Sequence, residues 1–465
     1  MTRVFFYSEY PNGCHYYRAE VIKRFLTDDF EVSTNVDFEN NRVKNDSETL
    51  NNLFNSDIVV FIRPTKRSSL SLLSILKLTG KKIIYSTDDM LMHLDSENPF
   101  YGQIDKDNVM EAFASQSDAV LVTTDYIYDE LKKINKNIYL IPNYLDFDEY
   151  ARLNRPLNKG KKLKLGIVGS VQTSENINHF IQILKTIHDE FRNTELVFFG
   201  SEDPLMVQRL KKTFIDRVIF VENVPMSGYS NKLASLRLDL SLIPRKDNLF
   251  NRGKSNCKYL EMSALGIPVV AQGFPTGDSP YQKDITDGVN GFIALNDKDW
   301  LKKISKLIVE KKTREEIGQN ARKYVQENFD IQKHLSEWGN MFAEVISEKQ
   351  KEVDMEITKN NLKLGYISME EERGDLGEQI FALEGKNNIF AKRAKGQHLT
   401  RKLLGQVIQQ EYNGAEKTLF YIKKYPVTLK ARVLIIMFRV FPRLARIVFR
   451  LLVYIGLAYP VYEKK

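Results

Sequence analysis

Cysteine is scarce. In 465 residues there are two, Cys14 and Cys257, far apart and in no spacing that suits zinc or a disulfide. Neither a metal site nor a disulfide framework is expected, and a reducing compartment suits the chain. A signal peptide is missing too: Met1 to Glu9 read as a short apolar strand, without a basic start, a long apolar stretch or a small-residue cleavage site. A cytoplasmic location is therefore expected. No internal repeat of fixed short period is visible. Positive charge is lacking where nucleic acid would need it, although the chain carries +8 overall. Lys417 to Lys465 hold eleven Lys or Arg against Glu463 alone, so the body is nearly neutral, has no basic stripe, and predicts no nucleic-acid partner. What remains, 43% hydrophobic and 28% charged residues, is ordinary globular composition, with enough chain for two or three cores.

Short apolar runs alternate with amphipathic stretches. Strands are expected at Arg3 to Ser8, Phe30 to Thr34, Ile58 to Ile62, Lys82 to Ser86, Ala119 to Thr123 and Ile138 to Ile141. After a polar break over 152–162, with Pro156, Asn158 and Gly160, a second series runs Leu163 to Val168, Leu196 to Phe199, Val218 to Val221, Leu238 to Ile243, Pro268 to Ala271 and Gly291 to Ala294. Runs without strict alternation suit strands buried on both faces of a parallel sheet. The pattern predicts an α/β chain of two tandem Rossmann-like domains, 1–150 and 151–330, with ligand in the cleft at the strands' carboxyl ends. Helices are expected over Lys298 to Glu327 and Ile331 to Glu348. The stretch 331–349 would pack back on the body through Trp338, Met341, Phe342 and Val345; 350–416 is a charged, glycine-broken helical linker, and 417–465 a basic helical extension.

The most informative run is Asn251 to Val270. Ser255 suits a helix N-cap, Gly266 a C-terminal stop, and Pro268 bars continuation, so about ten helical residues are framed. Lys258 and Glu261 are three apart and share a face, with Lys254 at the same edge. A helix start already attracts anions, and two ammonium groups added there would make a diphosphate site. Glu261, one turn deeper, would accept hydrogen bonds from ribose hydroxyls. The alternative is a surface ion pair of Lys258 with Glu261, worth about 0–1 kcal/mol.

Read as Asn-x-x-Lys-Ser-x-x-Lys-x-x-Glu-x-x-Ala-x-Gly-x-Pro-Val-Val, this run resembles the nucleotide-sugar segment of family 4-like glycosyltransferases with the GT-B fold. Ile141 to Asp146, Leu165 to Gly169 and Ile285 to Phe292 match further segments in the same order. The resemblance implies a two-domain GT-B transferase that moves a sugar from a nucleotide sugar to a glycan or lipid-linked acceptor of the bacterial cell surface, with retention at the anomeric carbon and without a metal. It implies that Glu261 holds ribose, that Lys254 and Ser255 hold the diphosphate, and that Gly169 and Ser170 approach the phosphates, with Arg245 and Asn251 flanking the donor. No cofactor is implied beyond the donor itself. Gly253 departs from the family pattern, which places an acid eight residues before the ribose glutamate. That departure leaves open a non-catalytic nucleotide-sugar or glycan-binding protein of the same fold.

In the first domain, the loop after the first strand carries Gly13, His15, Tyr17 and Arg18, and resembles a glycine loop facing donor and acceptor. Gly13 would permit a tight turn, while His15 and Arg18 would reach the cleft as acid, base or phosphate ligand; His15 as an incidental polar residue is the other reading. Asp88 and Asp89, at the end of another strand, would orient an acceptor hydroxyl, act as base, or cap the next helix.

In the extension, Arg432, Arg439, Arg443, Arg446 and Arg450 are spaced by 7, 4, 3 and 4 residues, within a sector of about 60° on a helix. Four Arg near a bilayer centre would cost roughly 10–14 kcal/mol, so spanning is disfavoured and an interfacial helix on an anionic membrane is expected. A helical cap on the body is the alternative. A homo-oligomer is left open.

Overall fold

The computed structural model describes residues 1–26, 29–96, 98, 100–101, 104, 108–153, 157–169, 174–200, 204–214 and 217–364. The chain divides into two compact units, Met1–Lys66 with Leu76–Val353, and Arg67–Ile75 with the chain from Asp354. In the second unit, Ser71 Oγ donates to the Asn361 carbonyl at 2.9 Å and Asn361 Nδ2 to Ser74 Oγ at 3.0 Å. The basic extension and its five arginines lie outside the described residues.

The first unit holds two parallel sheets and one small hairpin. Strands β1 (Thr2–Ser8), β2 (Phe30–Thr34), the paired β3 (Val36–Asp37) and β4 (Arg42–Val43), β5 (Ile58–Ile62), β6 (Lys82–Thr87), β7 (Ala119–Val122) and β8 (Ile138–Leu140) belong to the first half. The second half supplies β9 (Leu163–Val168), β10 (Thr194–Phe199), β11 (Val218–Val221), β12 (Leu240–Ile243), β13 (Val269–Gln272) and β14 (Phe292–Ala294). The sheets run β2-β1-β5-β6-β7-β8 and β11-β10-β9-β12-β13-β14. All pairs within each are parallel. Every residue of β5, β6 and β7 is buried, which is why their sequences show apolar runs rather than alternation. Gly166 on β9 is a packing requirement, since a Cβ there would meet Leu238 Cδ1 at 2.3 Å.

The stretch expected as one helix from Lys298 is two, Asp297–Val309 and Lys311–Asn328. Glu310 leaves helical geometry at ψ 86°, and Arg314 Nη1 turns back to the Leu307 and Ile308 carbonyls at 2.6 and 3.3 Å. An arginine from the second helix thus satisfies the C-terminal carbonyls of the first. Helix Leu335–Ser347 buries Trp338, Met341, Phe342 and Val345. Phe342 meets Phe6 of β1 and Phe30 of β2, with ring centroids 6.3 and 5.6 Å apart, so this helix covers the first sheet.

Candidate functional site

In an open parallel sheet, connections leave in opposite directions on either side of the first-laid strand, and the crevice opens at the strands' carboxyl ends beside it. In the second sheet that point lies between β9 and β12, followed by Gly169 and by Arg245. In the first it lies between β1 and β5, followed by the helical segment holding Gly13 to Arg18 and by Arg63. The Gly169 amide donates to the Phe199 carbonyl at 3.0 Å. Gly200 beside it has φ +87°, and a Cβ there would come within 3.0 Å of the Gly169 oxygen, so the close approach requires glycine.

The helix near β12's end spans Cys257–Ala264, eight residues. Its end is the one expected: Gly266 takes φ +66°, its amide donates to the Ser263 carbonyl, and the Ile267 amide to that of Met262, the left-handed stop that glycine permits. Its start is not. The N-cap position is Asn256, with no side-chain cap, because Ser255 Oγ lies 3.3 Å from Cys257 Sγ instead.

Lys258 and Glu261 do pair, at 3.0 Å, but not on the surface: Glu261 is 1% exposed. Its carboxylate also accepts from the Tyr17 hydroxyl at 2.6 Å and the Tyr229 hydroxyl at 2.8 Å. Lys258 Nζ lies 2.9 Å from the same Tyr229 oxygen. Burial works against the Lys258 ammonium, and the neighbouring Glu261 and Tyr229 more than offset it, holding the group above its ordinary range. A buried charge so enclosed is fully partnered, which is what makes it tolerable in the interior. Tyr17 belongs to the first domain and Glu261 to the second, so this cluster closes the groove between them.

A second cluster crosses the same groove. Lys254 Nζ stands 2.8 Å from Asp89 Oδ1 and 4.2 Å above the Phe250 ring. Arg63 binds the other Asp89 oxygen and approaches Asp88 Oδ1 at 3.8 Å. Burial opposes the Asp89 charge, yet Lys254 and Arg63 outweigh it and hold the carboxyl below its ordinary range. Asp88 and Asp89 do not cap a helix, since the 3-10 turn Leu91–His93 that follows starts at Met90 without a side-chain cap. Cys14, Asp88 and Asp89 are the one group among the described residues whose ligand atoms cluster as for a metal. With Asp89 already bridging a guanidinium and an ammonium, that position is filled by cationic side chains.

Gly253, where the family pattern has an acid, lies against the first domain: a Cβ there would meet Met90 Cγ at 2.9 Å and Tyr126 Cδ1 at 3.5 Å. The next residue, Lys254, pairs with Asp89 of the opposite domain.

Several other expected residues take structural positions. His15 does not reach the cleft. It is fully buried, its Nδ1 lies 2.8 Å from Ser8 Oγ, and burial, with Lys23 adding to it, pushes its pKa down to about 3. A neutral, enclosed imidazole is no acid or base for a substrate. Arg18 is also fully buried. It donates to Ser86 Oγ at 3.2 Å and to the Ile141 carbonyl at 2.8 Å and sits 4.8 Å over the Trp338 ring. It therefore ties β6, the domain crossing and the Leu335–Ser347 helix together rather than facing ligand. Gly13 makes no tight turn; it opens a short helix capped by Asn12, whose side chain accepts from the His15 amide. Asn251 is fully buried, its amide donating to Asn176 Oδ1 at 3.1 Å and to the Lys246 carbonyl at 3.0 Å. Arg245 Nε donates to the Tyr281 hydroxyl at 3.2 Å. Ser170 lies outside the described residues.

The sequence reading missed Arg63 and Tyr229. Arg63 precedes Pro64 at the end of β5 and adopts φ +42°, a left-handed backbone uncommon outside glycine. Nothing in periodicity marks it. It helps line a cavity of about 380 Å³ with Ser8, Glu9, Asn12, Cys14 and Leu91, at the first sheet's crevice. The segment Tyr16–Glu20 between two short helices is π-helical, a rare form associated with functional sites, and it carries Tyr17.

Comparison with known proteins bears on the family and the fold. Residues 150–324, which contain the Cys257–Ala264 helix, match the family model described as Glycosyl transferases group 1. The capsular polysaccharide biosynthesis glycosyltransferase CapM of Staphylococcus aureus is 27% identical over 222 residues, 45% of this chain and 54% of its own. The chain thus spans about half the length of this curated relative. Among solved structures, HepE of Anabaena in complex with UDP-glucose has a TM-score of 0.55 at 13% identity, over 73% of this chain and 100% of that one. Sucrose-phosphate synthase of Thermosynechococcus elongatus has 0.54 at 14%, over 75% and 100%. These likenesses establish the fold, two Rossmann-like domains of the GT-B type.

Proposed function

We propose that the protein is a glycosyltransferase that moves a sugar from a nucleotide-diphosphate donor to a glycan or lipid-linked acceptor in bacterial surface-polysaccharide assembly, with retention at the anomeric carbon and without a metal. One observation carries the reading: Lys254, Lys258 and Glu261 gather at the start of one helix, beside the crevice of the second sheet and across from Asp88, Asp89 and Tyr17 of the first domain. The group 1 segment, the name of CapM and the UDP-glucose bound to HepE support it.

In the transfer, the bond from the anomeric carbon to the diphosphate oxygen breaks and its electron pair leaves with the diphosphate. The acceptor oxygen bonds to that carbon, and its proton passes to the departing diphosphate oxygen. Lys254, Arg245 and the helix start supply positive charge at the departing diphosphate, a few kcal/mol of preorganised stabilisation, while Glu261 accepts from ribose. Asp88 and Asp89 stand on the acceptor side. Labelled sugar nucleotides incubated with the protein and a lipid extract test this: transferred label is expected, and Lys254→Ala should lower it tenfold or more. Binding with neither transfer nor hydrolysis would instead favour the second reading, a non-catalytic binding protein, which the Met90-filled space at Gly253 supports.

The acceptor's lipid character rests on the extension. No helix among the described residues is long and apolar enough to cross a membrane. The arginine stripe favours a peripheral position on the inner face of an anionic membrane. Removal of 423–465 should abolish sedimentation with anionic liposomes; retention would overturn the anchor.

A further inference from the structure

Both groups assigned to the donor are already engaged, and each by the kind of atom the donor would bring. Lys254 holds a carboxylate oxygen of Asp89 at 2.8 Å; a phosphate offers the same anionic oxygen. Glu261 accepts from the Tyr17 hydroxyl at 2.6 Å; a ribose hydroxyl offers the same donor. Asp89 and Tyr17 come from the first domain, after β6 and β1, while Lys254 and Glu261 belong to the second.

We infer that Asp89 and Tyr17 are intramolecular surrogates for the donor's diphosphate and ribose, so that the donor binds by displacing the first domain's side chains from the second domain's helix. This rests on the donor reading above. The exchange is arranged to leave no buried charge alone. When Lys254 turns to a diphosphate, Asp89 keeps Arg63, which follows the carboxyl end of β5 with a left-handed backbone at φ +42°. When Tyr17 leaves, Glu261 keeps Tyr229 and Lys258 from its own domain. An ion whose partner was removed outright would be costly in the interior, and here each retains a second partner. Arg63 also lines the cavity of the first domain, so displacement of Lys254 changes the charge balance at that wall. Asp89 is in this sense a positioning residue that links the donor segment to the acceptor side.

A site that must first release its own surrogate binds ligand more weakly by the fraction of time it is occupied. Calorimetric titration of the full chain with UDP, GDP and ADP tests this. For whichever nucleotide binds, Asp89→Asn should tighten affinity about tenfold and Tyr17→Phe several-fold, although both residues lie at the site. The two gains should separate by ligand: that of Asp89→Asn disappears with the bare nucleoside, and that of Tyr17→Phe with the 2′,3′-dideoxy nucleoside diphosphate. A merely structural role would produce neither pattern. Unchanged or weakened affinity in both variants, with thermal melting showing them folded, would overturn the surrogate role while leaving the donor reading intact. If no nucleotide binds to the wild type or to either variant, the donor reading fails and takes this inference with it.

Discussion

Two short polar segments follow strands at the mouths of the two sheets, and they use their charges in opposite ways. The segment after β1 spends His15 and Arg18 inward: one bonds Ser8, the other ties β6, the domain crossing and Trp338. The segment after β12 spends Lys254 and Glu261 outward, onto side chains of the facing domain. Both segments look equally suited to chemistry as sequences. The difference is the partner each side chain finds: His15 and Arg18 bond groups of their own half and the helix packed on it, whereas Lys254 and Glu261 bond side chains of the facing domain, which a ligand can replace.

The comparison is sharpest at Glu261. Glu261→Gln should weaken nucleotide binding tenfold or more and also lower stability by roughly 3 kcal/mol, since Lys258 loses its buried partner but keeps some solvent. Titration and denaturant unfolding measure the two effects. Arg18→Met should cost about 1–3 kcal/mol through the carbonyls it leaves unpaired, with nucleotide affinity of the folded protein unchanged; a weakened affinity there would break the distinction between the segments. His15 predicts a pH signature. Its folded pKa is about 3 against an ordinary 6.5, so the unfolded chain takes up the proton first. The stability His15 contributes is complete above pH 6.5 and is lost as pH falls from there toward 3. His15→Gln should flatten that part of a melting-temperature profile. The smallest effect is expected at Gly253→Ala, about 1 kcal/mol from crowding Met90, relieved when Met90→Ala is added.

Much of the fold could be read from the chain. Twelve strands fall within one or two residues of their expected places; for central ones such as β5, β6 and β7 the reason is that a parallel strand buried on both faces leaves a continuous apolar run. The two-residue strands β3 and β4 carry no such signal; they are held by local pairing, including Arg42 to Asp37 at 3.1 Å. The stop at Gly266 was legible because one residue type tolerates its backbone. The start at Asn256 was not, because Ser255 had a competing partner two residues on. Of the candidate site, the run from Asn251 to Glu261 announced itself by spacing. Tyr229, 32 residues before Glu261, and Arg63, reaching Asp89 from another strand's end, did not.

Sequence alone therefore determined the twelve strands of the two large sheets, the order of two α/β halves and the run that brings Lys254, Lys258 and Glu261 together, since these follow from local periodicity and from residues three or four apart. Tertiary structure decided which charges were spent on the scaffold and which faced an exchangeable partner. That choice depends on the groups brought near from far along the chain, and on the burial that makes a partner necessary.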